Sequence, residues 1–112
     1  MSLELTKQYI AAFGARDLDA VGALLADDFS LEDPVVKRID GKPAALQMMA
    51  GMFGGCQSLA FAAKNIYVAG ATTIIEFTLD IDATHLEGVD IIEWRADGKM
   101  QALRAYLDIP KG

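Results

Sequence analysis

At 112 residues and a formal charge of −6, with a sequence pI near 4.5, the chain is one domain that nucleic acid and anionic membrane surfaces would repel. Hydrophobic residues make up 53% of it and mean hydropathy is +0.25, an excess that points to an apolar pocket, a subunit interface or both. A single cysteine, Cys56, excludes an intramolecular disulfide framework and fits a reducing interior.

The first segment places Leu5, Tyr9 and Phe13 four residues apart, with Ile10 alongside. That spacing predicts a helix from about Leu3 to Phe13, stopped at Gly14. Glu4, Lys7 and Gln8 leave no apolar signal-peptide core there, so the expectation is a soluble, cytoplasmic protein. Asp17 suits the N-cap of a second helix with Leu18, Val21, Leu24 and Leu25 as its stripe. Asp27-Asp28 would be unfavourable at a helix C-terminus, so the chain should leave helix there and run extended from Phe29 to Asp33. After the Asp40-Gly41 turn, Pro43 opens a third helix whose buried stripe is Leu46, Met49, Ala50 and Phe53. Gly54-Gly55 ends it.

Beyond Cys56 the apolar period changes from near four to two. Leu59–Ala69 and Thr72–Ala83 read as strands joined at Gly70, with Ile75, Phe77, Leu79 and Ile81 on one face of the second. A third strand is expected from about Leu86 to Arg95. The Asp97-Gly98 turn leads to a last one, Met100–Ile109, with Leu103, Ala105, Leu107 and Ile109 on its apolar face. The longest uncharged run, Pro43 to Ala63, is interrupted by Gln47, Gly54-Gly55, Gln57 and Ser58, which suits a helix, a break and a strand better than a membrane span. Helices first and strands afterwards predict an α+β domain, helices packed on one face of an antiparallel sheet.

Most acids have structural explanations as caps, turns or a solvated strand face. Asp90 does not. In GVDIIEW it shares a face with Ile92 and Trp94, while Val89, Ile91 and Glu93 share the other. If the first face is buried, desolvation would keep the Asp90 carboxyl neutral and able to donate a hydrogen bond; if it is exposed, Val89 and Ile91 are the core pair. Tyr9 is equally open: a core aromatic, or one whose hydroxyl meets a partner. Asp33, between Glu32 and Pro34, is either turn chemistry or a carboxylate held at the exit of an extended segment.

YIAAFGARDLDAVGALLADDFSLEDPV, residues 9–35, resembles the N-terminal half of bacterial ketosteroid (Δ5-3-keto) isomerases, members of the nuclear-transport-factor-2-like, SnoaL-like superfamily. DGKPAAL resembles the family's entry to its third helix, and GVDIIEWRADGKMQALRAY its final hairpin. The resemblance implies a single domain over residues 1–112, cone-shaped, with three N-terminal helices on a curved antiparallel sheet around an apolar pocket. It also implies a double-bond isomerase acting on a small apolar ketone or steroid-like ligand through a dienolate, without cofactor or metal. In the scheme of ketosteroid isomerase, taken over with the resemblance, Asp33 is the general base, while Tyr9 and a protonated Asp90 donate to the developing oxyanion. The pocket would be lined by Phe13, Leu25, Met49, Phe53, Ile92, Trp94, Leu103 and Leu107, and the protein would be a homodimer. Leu25 and Met49 stand where the family carries supporting tyrosines, and Leu107 where an aromatic residue often lies.

Other acid/base chemistry on the same fold, such as a polyketide cyclase or dehydratase, would reuse Asp33. A non-catalytic binder of small ligands would leave it a turn residue. A Cys56/His85 nucleophile pair is weaker than a buried thiol and a loop histidine, and one His with one Cys disfavours a metal site. Lys37 and Arg38 could guide an anionic substrate or simply belong to a surface turn. Met48, Met49 and Met52 read as core with an adaptable pocket wall as the alternative.

Overall fold

The computed structural model describes residues 1–108. Three helices, α1 (Ser2–Gly14), α2 (Leu18–Leu24) and α3 (Lys42–Gly54), alternate with and then precede six strands: β1 (Leu25–Asp33), β2 (Lys37–Asp40), β3 (Leu59–Ala69), β4 (Thr72–Ile81), β5 (Thr84–Trp94) and β6 (Met100–Asp108). The architecture is α+β, with one curved sheet in the order β2-β1-β6-β5-β4-β3. α1 packs on β3 and α3 on β1, with α2 between the other two helices. No helix among the described residues is long and apolar enough to cross a membrane.

Local chemistry accounts for the helices. Asp17 caps α2, its Oδ1 accepting from Ala20 N at 3.1 Å. Pro43 sits in the first turn of α3, where its missing N–H costs nothing. The strands bury alternate residues: Thr73, Ile75, Phe77 and Leu79 of β4, and Asp90, Ile92 and Trp94 of β5, face the helices. Asp90 therefore lies on the buried face.

Four expectations need correction, the first being that Ala50, placed in the buried stripe of the third helix, is exposed while Ala45 is buried. The sheet is not wholly antiparallel, because β1 runs parallel to β6. The second helix ends at Leu24, and Leu25 is already extended (φ −92°, ψ 138°), pairing with Met100 of β6. The register shift between Leu25 and Ser30 absorbs Asp27 and Asp28, which stay exposed while Phe29 is fully buried. Residues 37–40 form a short edge strand rather than a turn, closing a hairpin on β1 with Asp33 opposite Lys37. Ile109, expected on the last strand, lies outside the described residues.

At one end of the sheet α1 is tied down by hydroxyls. Thr6 Oγ1 lies 2.8 Å from Thr73 Oγ1, and Trp94 Nε1 donates to both, at 3.1 and 3.0 Å. At the other end Gly88 lets Phe77 and Leu107 close over β5: a Cβ there would meet the Tyr106 carbonyl oxygen, with Leu107 Cδ2 and Phe77 Cζ both at 3.0 Å. A backbone oxygen cannot move aside as a side chain can. Gly88→Ala is therefore expected to destabilise the fold by about 1–3 kcal/mol, read as a lower urea midpoint; an unchanged midpoint would contradict this packing.

Candidate active site

Tyr9, Asp33 and Asp90 line one apolar cavity of about 90 Å³. Sheet register explains how residues so far apart in sequence meet. Leu31 of β1 pairs with Leu103 of β6, and Glu32 with Arg104. Continuing that register by one residue brings Asp33 to the level of Ala105, which lines the same cavity and pairs with Asp90 of β5. The three form a row across β1, β6 and β5 on the helix side. At about 4.8 Å between strands, the two acidic residues are set roughly 10 Å apart across the sheet, with Ala105 on the strand between them.

The two carboxyl groups have different surroundings. Asp33 is half-buried. Its Oδ1 accepts from Val35 N at 2.8 Å and from Val36 N at 2.7 Å, an Asx turn around Pro34 that fixes the carboxylate and leaves Oδ2 without a donor among the described residues. Glu32, on the opposite face, is held by Arg38 at 2.6 Å. Asp90 is only 5% exposed. Burial pushes its carboxyl up to about 8, and the negative charge of Asp33 adds to the effect. Tyr9, on α1, is 3% exposed, and burial, then the charge of Asp90, raises its hydroxyl well above the usual range. At neutral pH both groups are therefore O–H donors. Among the described residues neither has a hydrogen-bond partner, yet no fully enclosed side-chain polar atom is left unpaired. Their polar atoms open onto the cavity.

The remaining expected pocket residues divide. Phe13, Met49, Leu103 and Leu107 line the cavity with Tyr9, Asp33 and Asp90. Leu25, Phe53, Ile92 and Trp94 do not, and belong to the surrounding core. Leu25 is displaced by the early start of β1. Ile92 and Trp94 share Asp90's face but lie further along β5, towards the Thr6–Thr73 end, while Phe53 packs edge-on against Phe13 at 5.2 Å between ring centres. The cavity also takes in Leu31, Met48, Met52, Phe61, Phe77, Leu79 and Ala105. The alternation of β4 had already put Phe77 and Leu79 on the inner face; Ala105 required the register.

His85 Nδ1 is 2.7 Å from Asp80 Oδ1, and Cys56 Sγ contacts Phe53 O and Arg16 Nη1, each at 3.8 Å. Neither lines the cavity. No group of three or more His, Cys, Asp or Glu residues among those described could hold a metal ion. Lys37, the first residue of β2, donates from Nζ to Pro34 O at 3.1 Å, so its side chain folds back over the β1–β2 turn.

Residues 6–103 match the SnoaL-like domain family. The chain belongs to that family. Among curated proteins none matches it. Solved structures share its fold: a SnoaL-like protein of unknown function from Burkholderia thailandensis superposes with a TM-score of 0.87 at 17% identity, covering 96% of this chain and 94% of that one. A Kribbella flavida protein named provisionally as a ketosteroid isomerase gives 0.83 at 19% identity, covering 99% and 80%. An M. tuberculosis LEH-like epoxide hydrolase gives 0.80 at 24% identity, covering 96% and 82%. These likenesses establish the nuclear-transport-factor-2-like fold of this SnoaL-like domain.

The buried acid leaves a signature in stability. Below pH about 4 Asp90 is protonated in both folded and unfolded chains. From there to about 8 the unfolded chain releases the proton while the folded one keeps it, so stability falls as pH rises, with the full loss present above about 8. Asp90→Asn removes this liability. Its gain in unfolding free energy over the wild type, read as a rise in Tm, is expected to grow from pH 4 to pH 8, reaching on the order of a few kcal/mol. An equal gain at both pH values in thermal scans would refute the burial argument.

Proposed function

We propose that this SnoaL-like domain is a double-bond isomerase acting on a small apolar ketone. The observation that carries the reading is the meeting of an anchored carboxylate and two neutral O–H donors on one apolar cavity. Asp33 takes a proton from the carbon between the carbonyl and the double bond. The electron pair moves through the conjugated system onto the carbonyl oxygen, where Tyr9 and protonated Asp90 stabilise the dienolate. Asp33 then returns the proton two carbons away, so the step needs no co-reactant. An apolar, water-poor enclosure tapering towards Tyr9 and Asp90 is part of this reading, because donors act more strongly where water is excluded.

Leu25 and Met49, where the family has supporting tyrosines, mean that Tyr9 works here without a hydroxyl network behind it. The reading also includes a homodimer through the outer sheet face, where Tyr67 and Tyr106 are 53% and 59% exposed; Tyr67 pairs with Ile74 and Ile74 with Ile91, while Tyr106 pairs with Val89 on the same face.

The reaction is tested by the absorbance of the conjugated enone formed from cyclohex-3-en-1-one. Wild type is expected to accelerate its appearance, Asp33→Asn to abolish the acceleration, and Tyr9→Phe to cost about 10²–10³ in turnover. Wild type that never exceeds the buffer rate would sink the proposal. Turnover should also decline as pH rises through about 8, where Asp90 loses the proton it donates. In Asp90→Asn the amide keeps its N–H at every pH, and that declining limb should vanish from the profile.

A further inference from the structure

Resting on that reading, we infer that the site takes ligands no bulkier than a single six-membered ring, and that Met48 and Met52 on α3 set the limit. The cavity measures about 90 Å³. Pockets for drug-sized ligands hold roughly 300–1,000 Å³, and an enclosed apolar cavity of about 150 Å³ accepts benzene. A single ring therefore fits here only with its far edge in the mouth, and a second fused ring has no room.

Burial along the lining shows where that mouth is. Tyr9, Phe13, Met49 and Asp90 are buried, whereas Asp33, Met48, Met52, Phe61 and Leu107 are half-buried and form the rim. Met48 and Met52 are one helical turn apart, so they stand together on one flank of α3. The rim opposite is stiffer. Phe61 is locked between Phe13 and Phe77, with ring centres 5.0 Å away on each side, and Gly88 holds Leu107 and Phe77 close together. Of the rim, only the methionines combine bulk with three freely rotating bonds. Whatever widens the entrance moves them.

The limit is tested by titration calorimetry with a ring series that presents the same oxygen to Tyr9 and Asp90: phenol, 2-naphthol and estradiol. Ordinary apolar burial would tighten binding steeply with each added ring. The size limit instead predicts that wild type binds estradiol no more tightly than phenol. In Met48→Ala/Met52→Ala, estradiol should gain at least about tenfold relative to phenol, a shift of about 1.4 kcal/mol. Wild-type affinity that climbs ring by ring overturns the inference, and so does a folded double variant with the wild-type ratio. Should the double variant not fold, the wild-type series decides alone. Turnover of cyclohex-3-en-1-one and of a Δ5-3-keto steroid, read on the same preparations, separates the two ideas. Wild type that follows the size series but isomerises neither keeps the limit and loses the reaction. Equal turnover of both keeps the reaction and loses the limit.

Discussion

Because β1 lies parallel to β6 with Leu31 beside Leu103, the end of β1 is carried to the level of Ala105 and so to the level of Asp90 on β5. A slip of one residue would turn Asp33 outward and bring Glu32 to the inner face. The hairpin to β2 then fixes how Asp33 leaves the sheet. Its carboxylate accepts two backbone N–H groups of the turn it closes, so the turn chemistry of Asp-Pro and a place at the cavity are one arrangement rather than alternatives.

The site depends next on contrast between its acids. Asp33 sits at the rim, hydrogen-bonded and partly wet. Asp90 sits deeper among apolar side chains, where the charged form is penalised and nothing in the protein compensates it. In the proposed reaction two identical functional groups thus take opposite parts, one accepting a proton and one holding it. Tyr9 joins the second group for the same reason, through burial on α1.

Periodicity makes much of this legible in the sequence. The change from a period near four to a period of two located the helices and the four long strands, and the alternation in GVDIIEW singled out Asp90. Alternation reports which face a residue takes, however, and not where along the strand it lies. Ile92 and Trp94 share Asp90's face yet pack at the hydroxyl end, away from the cavity. Leu25 looked helical because Leu24-Leu25 continues the apolar stripe of α2, while the pairing with Met100 that draws it into β1 is a long-range contact no local window contains. The same holds for β2, whose residues are unremarkable alone and become a strand by lying along β1, and for Ala105, a small residue whose value is the space it leaves.

The hydroxyl cluster of Thr6, Thr73 and Trp94 bears on Tyr9 although it lies outside the cavity. Thr6 precedes Tyr9 by three residues on α1 and shares its inner face. Its bonds to β4 and β5 stop the helix from sliding or rolling over the sheet. On the proposed reading the tyrosine is thereby aimed before a ligand arrives, and the entropy of fixing it is lost when the chain folds. In a cavity with no tyrosine network behind Tyr9, preorganisation comes from the preceding turn of α1.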